Sequence, residues 1–238
     1  MITIRRSGER GSTRLGWLDS RHTFSFGNYY DPAHMGFSSL RVINDDRIAP
    51  GAGFDTHAHR DMEIVTFILD GELEHKDSMG TGSIIRRGEI QLMRAGTGVA
   101  HSEFNPSTRA PVHLLQIWIE PDTPGLPPAY GQQRIDLAAA RTGFARLVSK
   151  DGTDGSLRIH QDVDVWLGDL DSGAERSFEL RPARSAWIHV ARGSVSVSGS
   201  VSANGIALGD GDAAAIRSEE AITLRGDPSG EVLLFDLA

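Results

Sequence analysis

Apolar residues in this chain occur in short runs that alternate with polar residues, and glycine separates many of these runs from the next. The alternation has the two-residue period of a β-strand, whose successive side chains point to opposite faces of a sheet. After a short N-terminal strand, strands are predicted at residues 23–26, 37–48, 62–69, 72–77, 83–85, 90–94 and 112–119. Short strands at such regular spacing are typical of an all-β sandwich or barrel.

The second half of the chain repeats this pattern after a proline-rich stretch. Residues 121–130 hold four of the ten prolines, and a linker is predicted there. The one predicted helix covers residues 134–141, where three consecutive alanines favour it. Further strands are predicted at residues 145–149, 157–161, 163–170, 176–180, 186–191, 194–198, 213–216, 221–224 and 232–237. We therefore expect two β domains, at residues 1–125 and 126–238.

Composition narrows the classes of function. A net charge of -8 with scattered basic residues argues against nucleic-acid binding, which rests on clustered lysine and arginine. The chain has no apolar run near the roughly 18 residues of a membrane span and no signal-peptide pattern, so we expect a cytoplasmic protein without membrane contact. Because cysteine is absent, disulfides and thiolate ligands are excluded.

Two pairs of polar residues have the spacing of metal ligands. His57 and His59 are two residues apart, as are His101 and Glu103. Because side chains two apart in a strand point to the same face, each pair can direct both of its donors at one point. Imidazole and carboxylate together suit iron, manganese, nickel, copper or zinc, whereas magnesium and calcium prefer oxygen ligands throughout. The pattern predicts a site for one transition metal.

Glycines around these pairs extend the pattern to residues 51–105. Gly51 precedes His57 and His59, and Glu63, an apolar run and Gly71 follow. The second half of the pattern consists of Gly96, Gly98, His101, Glu103 and Asn105. It resembles the paired motifs of the cupin superfamily, small β-barrels that hold one metal, although Gly96 stands where that motif has proline.

Within the cupins the chain resembles the pirin family, in particular the bacterial pirin-like quercetin 2,3-dioxygenases. The resemblance is carried by residues 16–20, 23–26, 40–46, 57–63, 75–78, 95–103 and 231–237. It implies metal ligation by His57, His59, His101 and Glu103. It also implies two tandem jelly-roll cupin barrels, a bicupin.

The second half echoes the first without its metal ligands. Residues 187–193 resemble the strand and turn at 67–71, and residues 209–212 resemble the turn at 87–89. No His-x-His sequence precedes residues 187–193, and no His-x-Glu sequence follows residues 209–212. We therefore expect a C-terminal barrel that has lost its metal site, with catalysis confined to the N-terminal barrel.

Several other polar residues in the first half could contribute to the site. Glu63 shares the parity of His57 and His59, so it is a candidate fifth ligand or an alternative to Glu103 as the carboxylate ligand. The resemblance favours Glu103, which leaves Glu63 as a group that orients a ligand histidine. His75 and His113 lie in alternating strand patterns and are candidates for a second layer around the metal, for the pocket wall or for packing. The remaining histidines have no partner at ligand spacing: His22, His34, His160 and His189.

The resemblance implies a ring-opening dioxygenase for a flavonol such as quercetin. Four protein ligands on an octahedral metal leave about two positions for substrate and O2. The flavonol 3-hydroxyl would lose its proton, with Glu103 as candidate base, and O2 would open the central ring with loss of carbon monoxide. Fe(II) is the expected metal, and Cu, Ni, Mn, Co and Zn are alternatives.

Two other functions remain open at this point. Some pirins are metal-bearing, redox-sensing regulators that bind a partner protein. The same metal cage also serves cupin isomerases, which consume no oxygen. Because a fold does not determine a function, the site itself must distinguish these alternatives.

Overall fold

A computed structural model describes residues 1–201 and 204–238. The chain forms two compact units. The unit that we call N-terminal comprises residues 11–135 and 159–161, and the unit that we call C-terminal comprises residues 1–10, 136–158 and 162–238. Strands make up nearly all regular structure in both, which confirms the predicted all-β class.

Eleven strands form the N-terminal unit. They are β2 (Gly11–Arg14), β3 (Leu18–His22), β4 (Leu40–Ile48), β5 (Gly53–His59), β6 (Glu63–Asp70), β7 (Glu72–Asp77), β8 (Gly82–Arg86), β9 (Glu89–Arg94), β10 (Val99–Phe104), β11 (Val112–Ile119) and β12 (Ala129–Arg134). One sheet has seven strands in the order β12-β9-β6-β11-β4-β3-β2, and the other has four in the order β5-β10-β7-β8.

Both sheets of the N-terminal unit contribute apolar side chains to its core. Ile48, Ile68 and Leu114 of the larger sheet cluster with Leu73 and Ile85 of the smaller sheet, and all five are buried. Their burial follows from the period-2 pattern, which places alternate residues of each strand on the inner face. Removing this apolar surface from water stabilises the unit by roughly 25 cal/mol per Å².

The strand predicted at residues 23–26 does not form. The strand in this region is β3, which ends at His22. The Thr23 N–H still donates to the Ile43 carbonyl of β4, but the Ser25 N–H donates to the His34 carbonyl of a loop, and Phe26 pairs with Tyr29 in a tight turn. The apolar Phe24 that suggested a strand is buried without one.

The proline-rich stretch predicted as a linker is bonded to the N-terminal unit. The Thr97 N–H donates to the Leu126 carbonyl at 2.8 Å, and the Gly125 N–H donates to Asp61 Oδ1 at 2.6 Å. Gly96 lies against the Leu126 carbonyl with a φ of 48°, where any Cβ would overlap that oxygen. Glycine at position 96 therefore allows the stretch to pack, and β12 then joins the seven-stranded sheet.

The C-terminal unit contains the remaining elements. Its strands are β1 (Ile2–Arg5), β13 (Ala145–Ser149), β14 (Leu157–Arg158), β15 (Val163–Leu170), β16 (Glu175–Glu179), β17 (Ser185–Gly199), β18 (Ile206–Leu208), β19 (Ala213–Ile216) and β20 (Ala221–Leu237). Seven of them form one sheet in the order β1-β19-β17-β20-β15-β13-β14. In the same sheet β16 pairs with β20, and β18 pairs with β17. The strands predicted separately at residues 186–191 and 194–198 form the single strand β17, and those predicted at 221–224 and 232–237 form the single strand β20.

The two units differ from the predicted division at residue 125 in two places. The first strand, β1, pairs with β19, so the first ten residues belong to the C-terminal unit. Strand β12 pairs with β9, so the N-terminal unit extends to Ile135. Backbone hydrogen bonds between residues distant in sequence cause both differences, and local composition carries no signal for them.

The predicted helix begins later than expected, as α1 (Leu137–Thr142). Arg134 still belongs to β12, and Asp136 caps the helix by accepting a hydrogen bond from the Ala139 N–H. Short 3-10 helices occupy Ser7–Glu9 and Thr153–Gly155. None of the helical segments in residues 1–201 and 204–238 has the length and apolar character that crossing a membrane requires.

Candidate functional site

The four-stranded sheet places the predicted ligand pairs side by side. His101 on β10 lies directly across from His57 on β5, and Val99 lies across from His59. The β5–β10 register shifts between His101 and Glu103, so β5 carries one extra residue there. Such bulges redirect side chains and occur next to active sites. On the other side of β10, strand β7 places His75 across from Glu103.

Three imidazole rings converge at this point. The ring centroids of His57 and His101 are 4.5 Å apart, those of His57 and His59 4.8 Å, and those of His59 and His101 4.9 Å. One donor atom from each ring lies within 4.8 Å of the others, close enough to share a metal ion. His75, His101 and Glu103 form a second such group, so His101 is common to both.

Neighbouring acceptors direct specific imidazole nitrogens toward the centre. The His57 Nδ1–H donates to the Asp55 carbonyl at 2.8 Å, which leaves Nε2 as the atom with the lone pair. His101 Nδ1 lies 3.4 Å from His75 Nδ1, and His75 Nε2 in turn lies 3.0 Å from Asp77 Oδ2. Because a carboxylate accepts only, His75 Nε2 carries a hydrogen, and a neutral His75 then accepts from the His101 Nδ1–H.

The donor atoms fit a bound cation. His101 Nε2 is buried and has no hydrogen-bond partner among the described residues. A buried nitrogen without a partner costs about 1–3 kcal/mol, which coordination to a metal would offset. The arrangement therefore matches a ligand set more closely than a packed core.

Burial keeps His59 and His101 neutral. The pKa of His101 is lowered to about 3, mainly by burial and in addition by the neighbouring His57 and His59. Burial also lowers the pKa of His59 to about 4, with a smaller contribution from His57. Neutral imidazole is the form that binds metals, so no proton competes for the nitrogens of His59 and His101 near neutral pH.

Glu103 is held by a polar chain from the larger sheet. Gln116 Nε2 on β11 donates to Glu103 Oε1 at 3.0 Å and to Oε2 at 2.8 Å. Thr66 on β6 donates to Gln116 Oε1 at 3.1 Å, which fixes the orientation of the amide. Burial raises the pKa of Glu103, and the hydrogen bonds from Gln116 oppose that rise.

A cavity of about 570 Å³ opens beside His57, His59 and Glu103. The aromatic side chains on its walls belong to Trp17, Phe26, Phe54 and Trp118. Trp118 meets the His59 ring edge to face at 4.9 Å, so the aromatic wall begins at the histidines themselves. A cavity of this size and lining accommodates a flat aromatic molecule.

Comparison with known proteins agrees with this geometry. The family model described as Pirin matches residues 3–119, and the model described as Quercetinase C-terminal cupin domain matches residues 146–237. A protein of Escherichia coli K12 named quercetin 2,3-dioxygenase is 48% identical over 237 residues, which cover 100% of this chain and 99% of that protein. The chain belongs to the pirin family.

Other pirin relatives extend the comparison. A Caulobacter vibrioides pirin-like protein is 36% identical, with full coverage of both chains. The crystal structure of the bacterial pirin YhhW from Escherichia coli in complex with nickel(II) superposes with a TM-score of 0.93 and is 47% identical, covering 100% of this chain and 99% of that chain. These matches confirm both the predicted pirin resemblance and the two-cupin fold.

The C-terminal cupin of this pirin has a large aliphatic core cluster. Its core contains Ile188, Val190, Leu224, Val232 and Leu234, each at most 1% exposed. Among the residues that the structure describes, both groups able to share a metal lie in the N-terminal unit.

The other polar residues considered from the sequence lie outside the cluster of His57, His59 and His101. Glu63 belongs to neither metal-capable group, and its Oε1 accepts from the His160 N–H at 3.1 Å. His113 bonds to Asp45 Oδ1 at 2.6 Å and does not line the cavity, whereas His75 contacts His101. His22 lines the cavity wall, while His34 pairs with Asp31.

Several residues of this pirin site escaped sequence reasoning. Gln116 bonds to Glu103, which is 13 residues away in sequence, and Thr66 bonds to Gln116, which is 50 residues away. At such separations local residue spacing gives no signal for either contact. Asp77 is two residues from His75, and that His-x-Asp spacing could have indicated a histidine oriented by a carboxylate. Asp46 lines the cavity on β4, where its strand parity could have indicated an inward position.

The position of Glu63 predicts a pH-dependent stability change. Burial raises its pKa to about 7, opposed by the hydrogen bond from His160 and the charge of Arg94. Between its ordinary pKa of 4.5 and about 7, the unfolded chain releases this proton while the folded chain retains it, so stability falls as pH rises. Glu63→Gln should therefore stabilise the protein by up to about 3 kcal/mol at pH 8 and by little near pH 4.

Urea denaturation of the metal-free protein at both pH values measures this difference. Exposed Glu120 provides a control, because Glu120→Gln removes a similar charge without a buried carboxyl. An equal effect of Glu63→Gln at pH 4 and pH 8 would contradict the assignment.

Proposed function

We propose that this pirin is a metal-dependent dioxygenase that opens the central ring of a flavonol such as quercetin. The observation that carries the proposal is the buried Nε2 of His101, which has no hydrogen-bond partner among the described residues, in a cluster of three imidazoles beside an aromatic cavity. The name of the Escherichia coli relative, quercetin 2,3-dioxygenase, supports the same activity. Both the ligand cluster and the cavity are needed for such a reaction.

The proposed ligands of the metal are His57, His59, His101 and Glu103, with one divalent ion per chain. His75 and Asp77 would orient His101 rather than bind the ion, because His75 Nε2 is occupied by Asp77. Fe(II) is the proposed metal, with Ni, Cu, Mn, Co and Zn as alternatives, and the nickel(II) complex of the Escherichia coli pirin supports a divalent ion. Nitrogen and oxygen ligands accept all of these metals, so supply and geometry decide among them.

When bound, the ion would supply Lewis-acid and redox chemistry to a flavonol and O2. The aromatic side chains of Trp17, Phe54 and Trp118 would hold the flat ring system of the substrate and exclude water. Glu103 would accept the proton of the flavonol 3-hydroxyl on a carboxylate oxygen, while Gln116 holds that carboxylate in place. Ionised flavonol is electron-rich enough to combine with O2, and the ring opens with release of carbon monoxide.

A first test separates the two units by their metal content. His101→Ala should lose metal, because it removes the ligand that is central to the cluster, whereas His189→Ala in the C-terminal unit should retain it. Elemental analysis of protein purified without chelators should find one metal per chain in wild type. A stoichiometry near two, or full metal retention by His101→Ala, would contradict the assignment.

A second test asks whether the site turns over a flavonol through Glu103. Oxygen uptake with quercetin should occur with at least one metal among iron, nickel, copper, manganese and cobalt. Glu103→Gln should bind quercetin but slow uptake by about 10² to 10⁴-fold, the usual contribution of a positioned base. Full activity in Glu103→Gln would exclude Glu103 as the base. If wild type consumes no oxygen with any of these metals and any flavonol, a regulatory role that depends on a partner protein replaces the enzyme proposal.

A further inference from the structure

Strands β3 and β4 contribute a polar strip to the wall of the aromatic cavity. The strip consists of Ser20, His22, Asn44 and Asp46, all of which line the cavity. Strand register pairs Ser20 with Asp46 and His22 with Asn44, so the four side chains share one face of two adjacent strands. None of them belongs to the groups that could share a metal.

Most polar atoms of this strip have partners in the protein. His22 Nδ1 lies 2.8 Å from Asn44 Oδ1, and His22 Nε2 lies 2.9 Å from Thr13 Oγ1. The Ser20 hydroxyl lies 3.4 Å from His22 Nδ1 and hydrogen-bonds to the carboxyl of Asp46. These contacts fix the strip as a rigid part of the cavity wall.

Asp46 differs from its neighbours because one of its oxygens has no partner. The residue is 3% exposed, and its Oδ1 makes no hydrogen bond to any residue that the structure describes. Leaving a buried carboxyl oxygen unsatisfied costs about 1–3 kcal/mol, which a hydrogen bond to a bound ligand would recover. Asp46 lines the cavity, so a ligand bound there would lie next to its carboxyl group.

The environment of Asp46 also favours its neutral form. Burial raises the pKa of Asp46 to about 7, the hydrogen bond from Ser20 opposes that rise, and the charges of Asp45 and Glu103 add to it. A large fraction of Asp46 therefore carries a proton near neutral pH. A protonated carboxyl both donates and accepts hydrogen bonds, as a phenolic hydroxyl does.

We propose that Asp46 is a substrate-binding residue whose Oδ1 hydrogen-bonds a ring hydroxyl of the flavonol other than the 3-hydroxyl that faces Glu103. This inference rests on the proposed function, and it adds a residue that selects flavonols with ring hydroxyls beyond the 3-hydroxyl. A flavonol without further hydroxyls would leave Asp46 Oδ1 unsatisfied among aromatic side chains. Sites that hydrogen-bond a substrate hydroxyl discriminate strongly against analogues that lack it.

Binding of two flavonols to nickel(II)-loaded protein, with O2 excluded, tests the inference without turnover. Quercetin carries several ring hydroxyls, whereas 3-hydroxyflavone has the 3-hydroxyl alone. Asp46→Leu keeps the approximate shape of the side chain and removes its hydrogen bonding. It should weaken quercetin binding by about tenfold, the value of one hydrogen bond, and change 3-hydroxyflavone binding by less than about twofold.

Two further variants serve as controls. Asp46→Asn mimics the neutral carboxyl and should keep quercetin affinity within about threefold of wild type. Asp45→Asn changes the neighbouring residue, which bonds to His113 and does not line the cavity, and should leave both affinities unchanged. All three variants should bind nickel as wild type does, because neither residue is a proposed ligand.

The outcomes separate this inference from the proposed function. If wild type binds quercetin and Asp46→Leu binds it equally well, the role of Asp46 is wrong while the proposed function stands. Equal losses for quercetin and 3-hydroxyflavone, or an Asp46→Asn variant as weak as Asp46→Leu, would likewise overturn the role of Asp46. If wild type binds neither flavonol, the proposed function fails and the inference fails with it.

Discussion

Desolvation of the imidazole nitrogens is the constraint on which this site depends. His101 is 2% exposed and lies against the rings of His57 and His59, and its Nε2 has no hydrogen-bond partner among the residues that the structure describes. In water such a nitrogen would be solvated and partly protonated, whereas here burial lowers its pKa to about 3. The site keeps a lone pair available at neutral pH, and the contact with His75, itself held by Asp77, directs that lone pair inward.

Both sheets of the N-terminal unit contribute to this arrangement. The smaller sheet supplies the proposed ligands from β5 and β10, and it supplies His75 from β7. The larger sheet supplies Gln116, which holds Glu103, and it supplies Trp118 and the polar side chains of Ser20, His22, Asn44 and Asp46 to the cavity wall. A ligand in the cavity would therefore contact the histidines on one side and Trp118 and Asp46 on others. In the part of the chain that the structure describes, neither group able to share a metal lies in the C-terminal unit.

Much of the site follows from the two-residue period of a strand. That period, with the family resemblance, was enough to predict His57, His59, His101 and Glu103 as neighbours, and the structure brings the three histidines together. It was insufficient for Glu63, because β5 ends at His59 and β6 begins in the other sheet. Asp61 lies between them with a φ of 47°, a left-handed conformation that breaks the strand and ends the shared parity. Contacts between strands that are far apart in sequence, such as Thr66 of β6 with Gln116 of β11, cannot be predicted from local sequence.

Anomalous X-ray diffraction from crystals of the nickel(II)-loaded protein would locate the metal and its ligands. We expect one anomalous peak per chain, about 2.0–2.2 Å from His101 Nε2 and from ligand atoms of His57, His59 and Glu103. His75 should remain bonded to Asp77 and lie outside the coordination sphere. A peak coordinated by His75, or a peak inside the C-terminal unit, would contradict the account.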